Sequence, residues 1–150
     1  MRIVLQRVSH ASVTIDGQIV SKIGKGLLLL LGIEETDTEE DINWLVKKVL
    51  NMRIFEDENN VMNISATDIN ADILVVSQFT LYASCKKGNR PSYIRAAGHD
   101  VSVPLYNMFC HAIEKVCPGT FGAGIFGADM KVELINDGPV TICLDSKIKE

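Results

Sequence analysis

The stretch "GLLLLLGI", residues 26 to 33, is the longest apolar run in the chain and restricts the fold more than any other feature. Crossing a bilayer takes about 20 consecutive apolar residues, and this run falls far short. It reads instead as a buried strand, Leu27 to Ile33. "ILVV" at 73 to 76 is a second run of the same kind, four β-favouring aliphatics. A strand buried on both faces normally stays apolar to its end, and this one does not.

It continues as "SQFTLYA" to Ala83 without a turn residue. Read as one strand, alternation places Gln78 and Thr80 on the face of Leu74 and Val76, with Ser77 and Phe79 on the other. Polar groups emerging at the end of a buried strand, beside a basic loop, are what a ligand site on a rigid element looks like. The alternative is that Ser77 and Thr80 only bond neighbouring backbone at a strand end.

Around these two strands the pattern predicts an α+β domain on a mainly antiparallel sheet or barrel with two principal helices. "MRIVLQRVSHASVTI" and "QIVSKIG" flank Asp16-Gly17, a hairpin signal. In "ETDTEEDINWLVKKVLNMR", Ile42, Leu45, Val46 and Val49 share one helical face, capped by Thr38 or Thr36. "RIFEDENNVMN" reads as strand, turn and return. Residues 84 to 98 form an aperiodic loop carrying Lys86, Lys87, Arg90 and Arg95. "VPLYNMFCHAIEKVC" predicts a helix with Pro104 in its first turn and Leu105, Met108, Phe109, Ala112, Ile113 and Val116 on its apolar stripe. "DMKVELI" and "PVTICLD" are closing strands, and the intervening "NDG" is a tight-hairpin signal.

The chain has 150 residues, enough for one domain over 1–150, with a net charge of −4. That balance gives no global attraction to nucleic acid, so such a partner must be held by a local basic patch. "MRIVLQRVSHASVTI" lacks the pattern of a cleavable signal. The four cysteines form no CxxC pair and lie near no His-rich tract, which points to a reduced cytoplasmic setting and no metal site. No GxSxG, HExxH, P-loop or GxGxxG occurs; His10, His99 and His111 lie in unrelated contexts.

"SQFTLYA" at 77 to 83 and "NDGPVT" at 136 to 141, with "QRVSHASV", "GLLLLLGI" and "FGADM" in order, resemble the D-aminoacyl-tRNA deacylase family over essentially the whole chain. The resemblance implies a homodimer, without cofactor or membrane association, whose active sites lie at the subunit interface. It implies that Ser77, Gln78, Phe79 and Thr80 line the pocket for the 3′-terminal aminoacyl-adenosine of tRNA. It also implies that Gly138-Pro139, joined by a cis peptide bond and held by Arg7, reaches into the partner's pocket, with Phe126 and Met130 nearby. The implied reaction is hydrolysis of the D-aminoacyl ester, and of glycine mischarged on tRNA, as chiral proofreading in translation. A non-catalytic nucleic-acid-binding module, as among some eukaryotic relatives, is the rival reading.

Overall fold

A computed structural model describes residues 1–150. Its organising element is β1 (Arg2–Ile15), which is paired on both edges. Along one edge lie β3 (Gly26–Gly32), antiparallel through Arg2 to Val8, and β2 (Gln18–Ile23), antiparallel through Ala11 to Ile15. Asp16 and Gly17 both take positive φ in the two-residue turn that joins β1 to β2. Along the other edge β8 (Lys131–Asp145) runs antiparallel for nearly the whole length.

β3 also pairs in parallel with β6 (Asp72–Ser77), and β6 in parallel with β7 (Phe121–Ala123). Parallel neighbours need long crossovers. The first contains α1 (Glu39–Asn51) and a separate hairpin of β4 (Phe55–Glu56) and β5 (Met62–Ile64); the second contains α2 (His99–Val116). The sheet curls toward a barrel, so that Gly122 of β7 lies directly against Ser21 and Ile23 of β2. The α+β expectation with two helices holds, although two of the pairings are parallel.

The larger core lies between the helices and one sheet face, with Ile3, Leu5, Leu29, Leu45, Phe55, Phe109 and Ile113 almost wholly buried. The smaller fills the curl, around Val8, Val13, Leu28, Leu74 and Val76. Near the helix side, the Met1 ammonium and Lys147 surround the buried Asp37 carboxylate, and Lys147 also meets Asp41 at 2.7 Å. No helix is long and apolar enough to cross a membrane.

Three expectations are corrected. The strand from Ile73 does not reach Ala83: β6 ends at Ser77 and residues Phe79–Tyr82 form a 3-10 turn. α2 begins at His99, so Pro104 sits in its second turn, and the buried stripe is Ser102, Tyr106, Phe109 and Ile113, with Met108 and Val116 exposed. The "NDG" signal makes no hairpin either. Both flanking segments pair with β1 in the same direction, Gln6 opposite Thr141 and Val8 opposite Asn136. Residues 137 to 140 therefore bulge out of one continuous strand opposite Arg7.

Candidate active site

Gln78 leaves the sheet with its N–H still on the Leu31 carbonyl at 2.7 Å, and the 3-10 turn closes when Leu81 N–H donates to the Gln78 carbonyl at 3.2 Å. The turn packs directly on β3. A carbon added to Gly32 would stand 3.0 Å from Leu81 Cβ and 3.1 Å from the Gln78 carbonyl oxygen, so a larger residue here would push the turn back by a few tenths of an ångström. Arg2 Nη1 holds the far end through the Leu81 carbonyl at 3.2 Å. Gln78 Nε2 donates to Thr80 Oγ1 at 2.6 Å. The two side chains thus meet across the turn and not as neighbours on one strand face. The N–H groups of Phe79 and Thr80 precede the turn's own bonds, so the turn itself supplies them no acceptor.

Ser77, Gln78 and Phe79 form one wall of a cavity of about 580 Å³, with Phe126 and Met130 on another. Thr80, expected to line the pocket, is not among the lining residues and is bonded to Gln78. His99 and Ser102, from the first turn of α2, also line it. By sequence, His99 is set aside as one of three histidines in unrelated contexts and Ser102 is not reached, because nothing in the sequence shows that the 84 to 98 loop returns α2 to the end of β6. The His99 ring packs edge-on to Phe126 at 5.6 Å, and Phe79 packs similarly against Tyr93 at 5.0 Å across the mouth.

No hydroxyl of the cavity is hydrogen-bonded to a base: Ser102 Oγ donates to the Gly98 carbonyl at 2.8 Å, and His99 bonds neither Ser77 nor Ser102. His99 is its one imidazole, and no carboxylate or lysine lines it. Nearby titratable groups are shifted toward inertness. Burial pushes the Tyr82 phenol well above its usual range, with Asp37 and Glu34 adding to the effect. Burial likewise pushes the Cys110 thiol up to about 11. A second cavity, about 480 Å³, lies beyond the turn between Trp44, Leu81 and Cys143. Its principal polar groups, Arg2 and Asp145, are already paired at 2.7 Å.

Arg7, Gly138 and Pro139 are absent from both linings. They form a separate cluster on the β8 bulge. Gly138 has φ +143°, a region that L residues rarely adopt, and the Gly138-Pro139 bond is cis. Asn136 Oδ1 accepts the Val140 N–H at 2.8 Å across the base of the bulge, and Arg7 Nε donates to the Asp137 carbonyl at 2.8 Å. Asp137, Gly138 and Pro139 are exposed. Ser77 pairs with Leu31 and Leu31 with Ile3, whereas the bulge faces Arg7. Four residues along β1 and three strands across the sheet separate the clusters, roughly 20 Å at the usual sheet spacings. One chain therefore brings Ser77, Gln78, Phe79, Thr80, Phe126 and Met130 together, and Arg7, Gly138 and Pro139 together, but not the two groups.

The basic loop borders the cavity through Tyr93, Ala96 and Ala97. Arg95 is tied down by Glu34 at 3.6 Å and lies over the Tyr82 ring, while Lys86, Lys87 and Arg90 are exposed.

A family model described as D-Tyr-tRNA(Tyr) deacylase matches residues 4–145. The chain is 64% identical to the D-aminoacyl-tRNA deacylase of Bacteroides thetaiotaomicron and 62% identical to that of Flavobacterium psychrophilum, each across the full length of both chains. Among solved structures, one titled "c-Myc DNA Unwinding Element Binding Protein" superposes with a TM-score of 0.90 at 42% identity, covering 97% of this chain and 98% of the other. A probable eukaryotic D-amino acid tRNA deacylase has the same fold, with a TM-score of 0.83 at 20% identity over 95% and 97% of the two chains. Deacylases are hydrolases, and that is the class to which the sequence assigns the chain. Within that class, it belongs to the D-Tyr-tRNA(Tyr) deacylase family.

Proposed function

We propose that residues 1–150 act as one D-aminoacyl-tRNA deacylase domain, hydrolysing the ester between a D-amino acid and the terminal ribose of tRNA in the cytoplasm. The products are free D-amino acid and intact tRNA, and the role is chiral proofreading in translation. The observation that carries the reading is the pair of complementary clusters, a polar-walled cavity and an exposed, braced Gly138-Pro139 about 20 Å away. They are joined in a homodimer, where the dipeptide of one protomer enters the cavity of its partner.

An aminoacyl ester is already activated, so the protein needs to supply orientation, an oxyanion contact and access for water. The N–H groups of Phe79 and Thr80 supply the oxyanion donors. With no base beside it and its oxygen engaged by Gln78, Thr80 orients rather than attacks. The ribose 2′-hydroxyl of the substrate helps to activate the water.

Selection of hand is steric. The main chain of Gly138-Pro139 stands against the substrate α-carbon, where an L side chain collides and a D side chain points outward. Glycine has nothing to exclude, so glycyl-tRNA mischarged on tRNA-Ala is also a substrate. Lys86, Lys87 and Arg90 meet tRNA phosphates. The deciding experiment is a deacylation time course on matched D-Tyr-tRNA and L-Tyr-tRNA, corrected for spontaneous hydrolysis. Selective loss of the D-ester is expected, and cleavage of neither above background would overturn the reading.

The same exposed basic loop favours a second reading, a duplex-DNA-binding module like the structure titled as a DNA-unwinding-element-binding protein. Salt-dependent duplex binding without deacylation would support it.

A further inference from the structure

The β4–β5 hairpin takes no part in the main sheet or in the cavity, yet it reaches the projecting dipeptide through one side chain. Arg7 is 4% exposed. Besides Nε on the Asp137 carbonyl, its Nη1 donates to the Ile54 carbonyl at 2.7 Å and its Nη2 to Glu56 Oε1 at 3.4 Å. A guanidinium keeps its charge when buried, and a buried charge needs a counter-charge. The two carbonyls carry none, so Glu56 supplies the only anion within ion-pair distance.

The position of Glu56 is set by its neighbour. Phe55 is locked in the core at 1% exposure, and Glu56, across a register irregularity from it, is half exposed with its carboxylate against Arg7. The hairpin around it is stiff: the Asp57 carboxylate accepts the N–H groups of Asn59 and Val61, and Arg53 bonds Asn63. The same Arg7 Nη2 that meets Glu56 would stand 3.0 Å from a carbon placed on Gly138. The contact chain from hairpin to dipeptide is therefore unbroken.

We propose that Glu56 is a positioning residue for stereochemical selection. Acting through Arg7, its carboxylate sets where the Asp137-Gly138 peptide stands, and hence how closely Gly138-Pro139 fits the substrate α-carbon. The proposal rests on the reading above, that the dipeptide excludes L side chains.

The test compares Glu56→Gln, Glu56→Asp and Pro139→Ala, with Glu58→Gln on the same hairpin as control. Two quantities are read: the ratio of kcat/KM for D-Tyr-tRNA over L-Tyr-tRNA, and the thermal midpoint. Glu56→Gln should keep the midpoint within a few degrees and lower the ratio about fivefold. Glu56→Asp should recover most of the loss, and Glu58→Gln should behave as the parent. An unchanged ratio in Glu56→Gln, while Pro139→Ala alters it, would overturn the role of Glu56 and leave that of the dipeptide. An unchanged ratio in both would overturn both. A fallen midpoint with D and L rates reduced in equal proportion would make Glu56 purely structural, and would also overturn the proposal.

Discussion

If the active site is shared between subunits, two inactive chains should rescue one another, and the extent of rescue follows from the geometry. The cavity around Ser77 to Phe79 and the Gly138-Pro139 bulge lie roughly 20 Å apart, three strands across the sheet. That gap is too wide for a bulge braced by Arg7 and Asn136 to span. The first variant is Ala96→Trp, which places an indole in the cavity lining and leaves the bulge intact. The second is Gly138→Val, which puts a β-branched side chain at φ +143°, against Val140 and Arg7, and leaves the cavity intact. Each homodimer should be inactive. In a mixed dimer one composite site carries both lesions and the other carries neither. Random assortment makes half of the dimers mixed, so about a quarter of all sites regain function. Single-turnover deacylation of D-Tyr-tRNA by co-expressed chains reads this amplitude, and separately purified, unmixed chains give the baseline. No recovery in verified mixed dimers would place the whole site within one protomer and refute the shared-site argument.

Three further outcomes are expected. Thr80→Ala should retain deacylation within about tenfold, since the hydroxyl orients rather than attacks; loss of the reaction in the variant, together with an aminoacyl-Thr80 ester trapped in the parent, would refute this. Burial alone would raise the Asp41 carboxyl, but hydrogen bonds from Lys147, Ser146 and the Thr38 backbone hold it well below the usual carboxylate range. Its contribution is therefore present above about pH 4 and lost as the pH falls below that; Asp41→Asn should cost of the order of 1 kcal/mol at neutral pH and flatten the acid limb in denaturation against pH. Replacing Lys86, Lys87 and Arg90 by Gln should weaken tRNA binding and reduce its log-log salt slope by about two to three, while cleavage of an aminoacyl-adenosine lacking the tRNA body stays unchanged; an unaltered salt slope would remove the loop from the interface.

Much of the frame was legible because its signals are local. Asp16-Gly17 calls for a tight turn wherever it occurs, and "GLLLLLGI" has nowhere to lie except inside. The face of Ile42, Leu45 and Val49 needs only a helical period. Where the expectation failed, a tertiary partner decided. "SQFTLYA" alternates like a strand, but β3 ends at Gly32, and past that point the ladder offers no partner for Gln78 beyond the Leu31 carbonyl. The chain therefore coils onto the space that Gly32 leaves. Tyr106 escaped the expected stripe because a phenol is not an obvious core residue, yet its hydroxyl finds the Val75 carbonyl at 3.2 Å.

The "NDG" bulge shows most clearly why residues of a site can be recognised before their arrangement is known. The signal for a reversal was real only in part: Gly138 takes a positive φ, but at +143° it lies well beyond the values of about +60° to +90° that a tight hairpin turn uses. β1, however, offers paired positions from Arg2 to Thr14, and two half-strands lying along that one edge bury more than a hairpin turning away from it. The surplus residues must then leave the sheet, and Arg7, directly opposite, bonds the Asp137 carbonyl at the root of the bulge. A turn signal overruled by a long partner strand becomes a projection, and a projection braced by a buried arginine is rigid enough to test the shape of what it meets. If the dipeptide is the stereochemical filter, that requirement ties the filter to β1, β8 and the small hairpin rather than to the cavity wall. Substitutions in the hairpin should therefore alter the choice between D and L, whereas substitutions in the Ser77 to Thr80 turn should alter the rate for both.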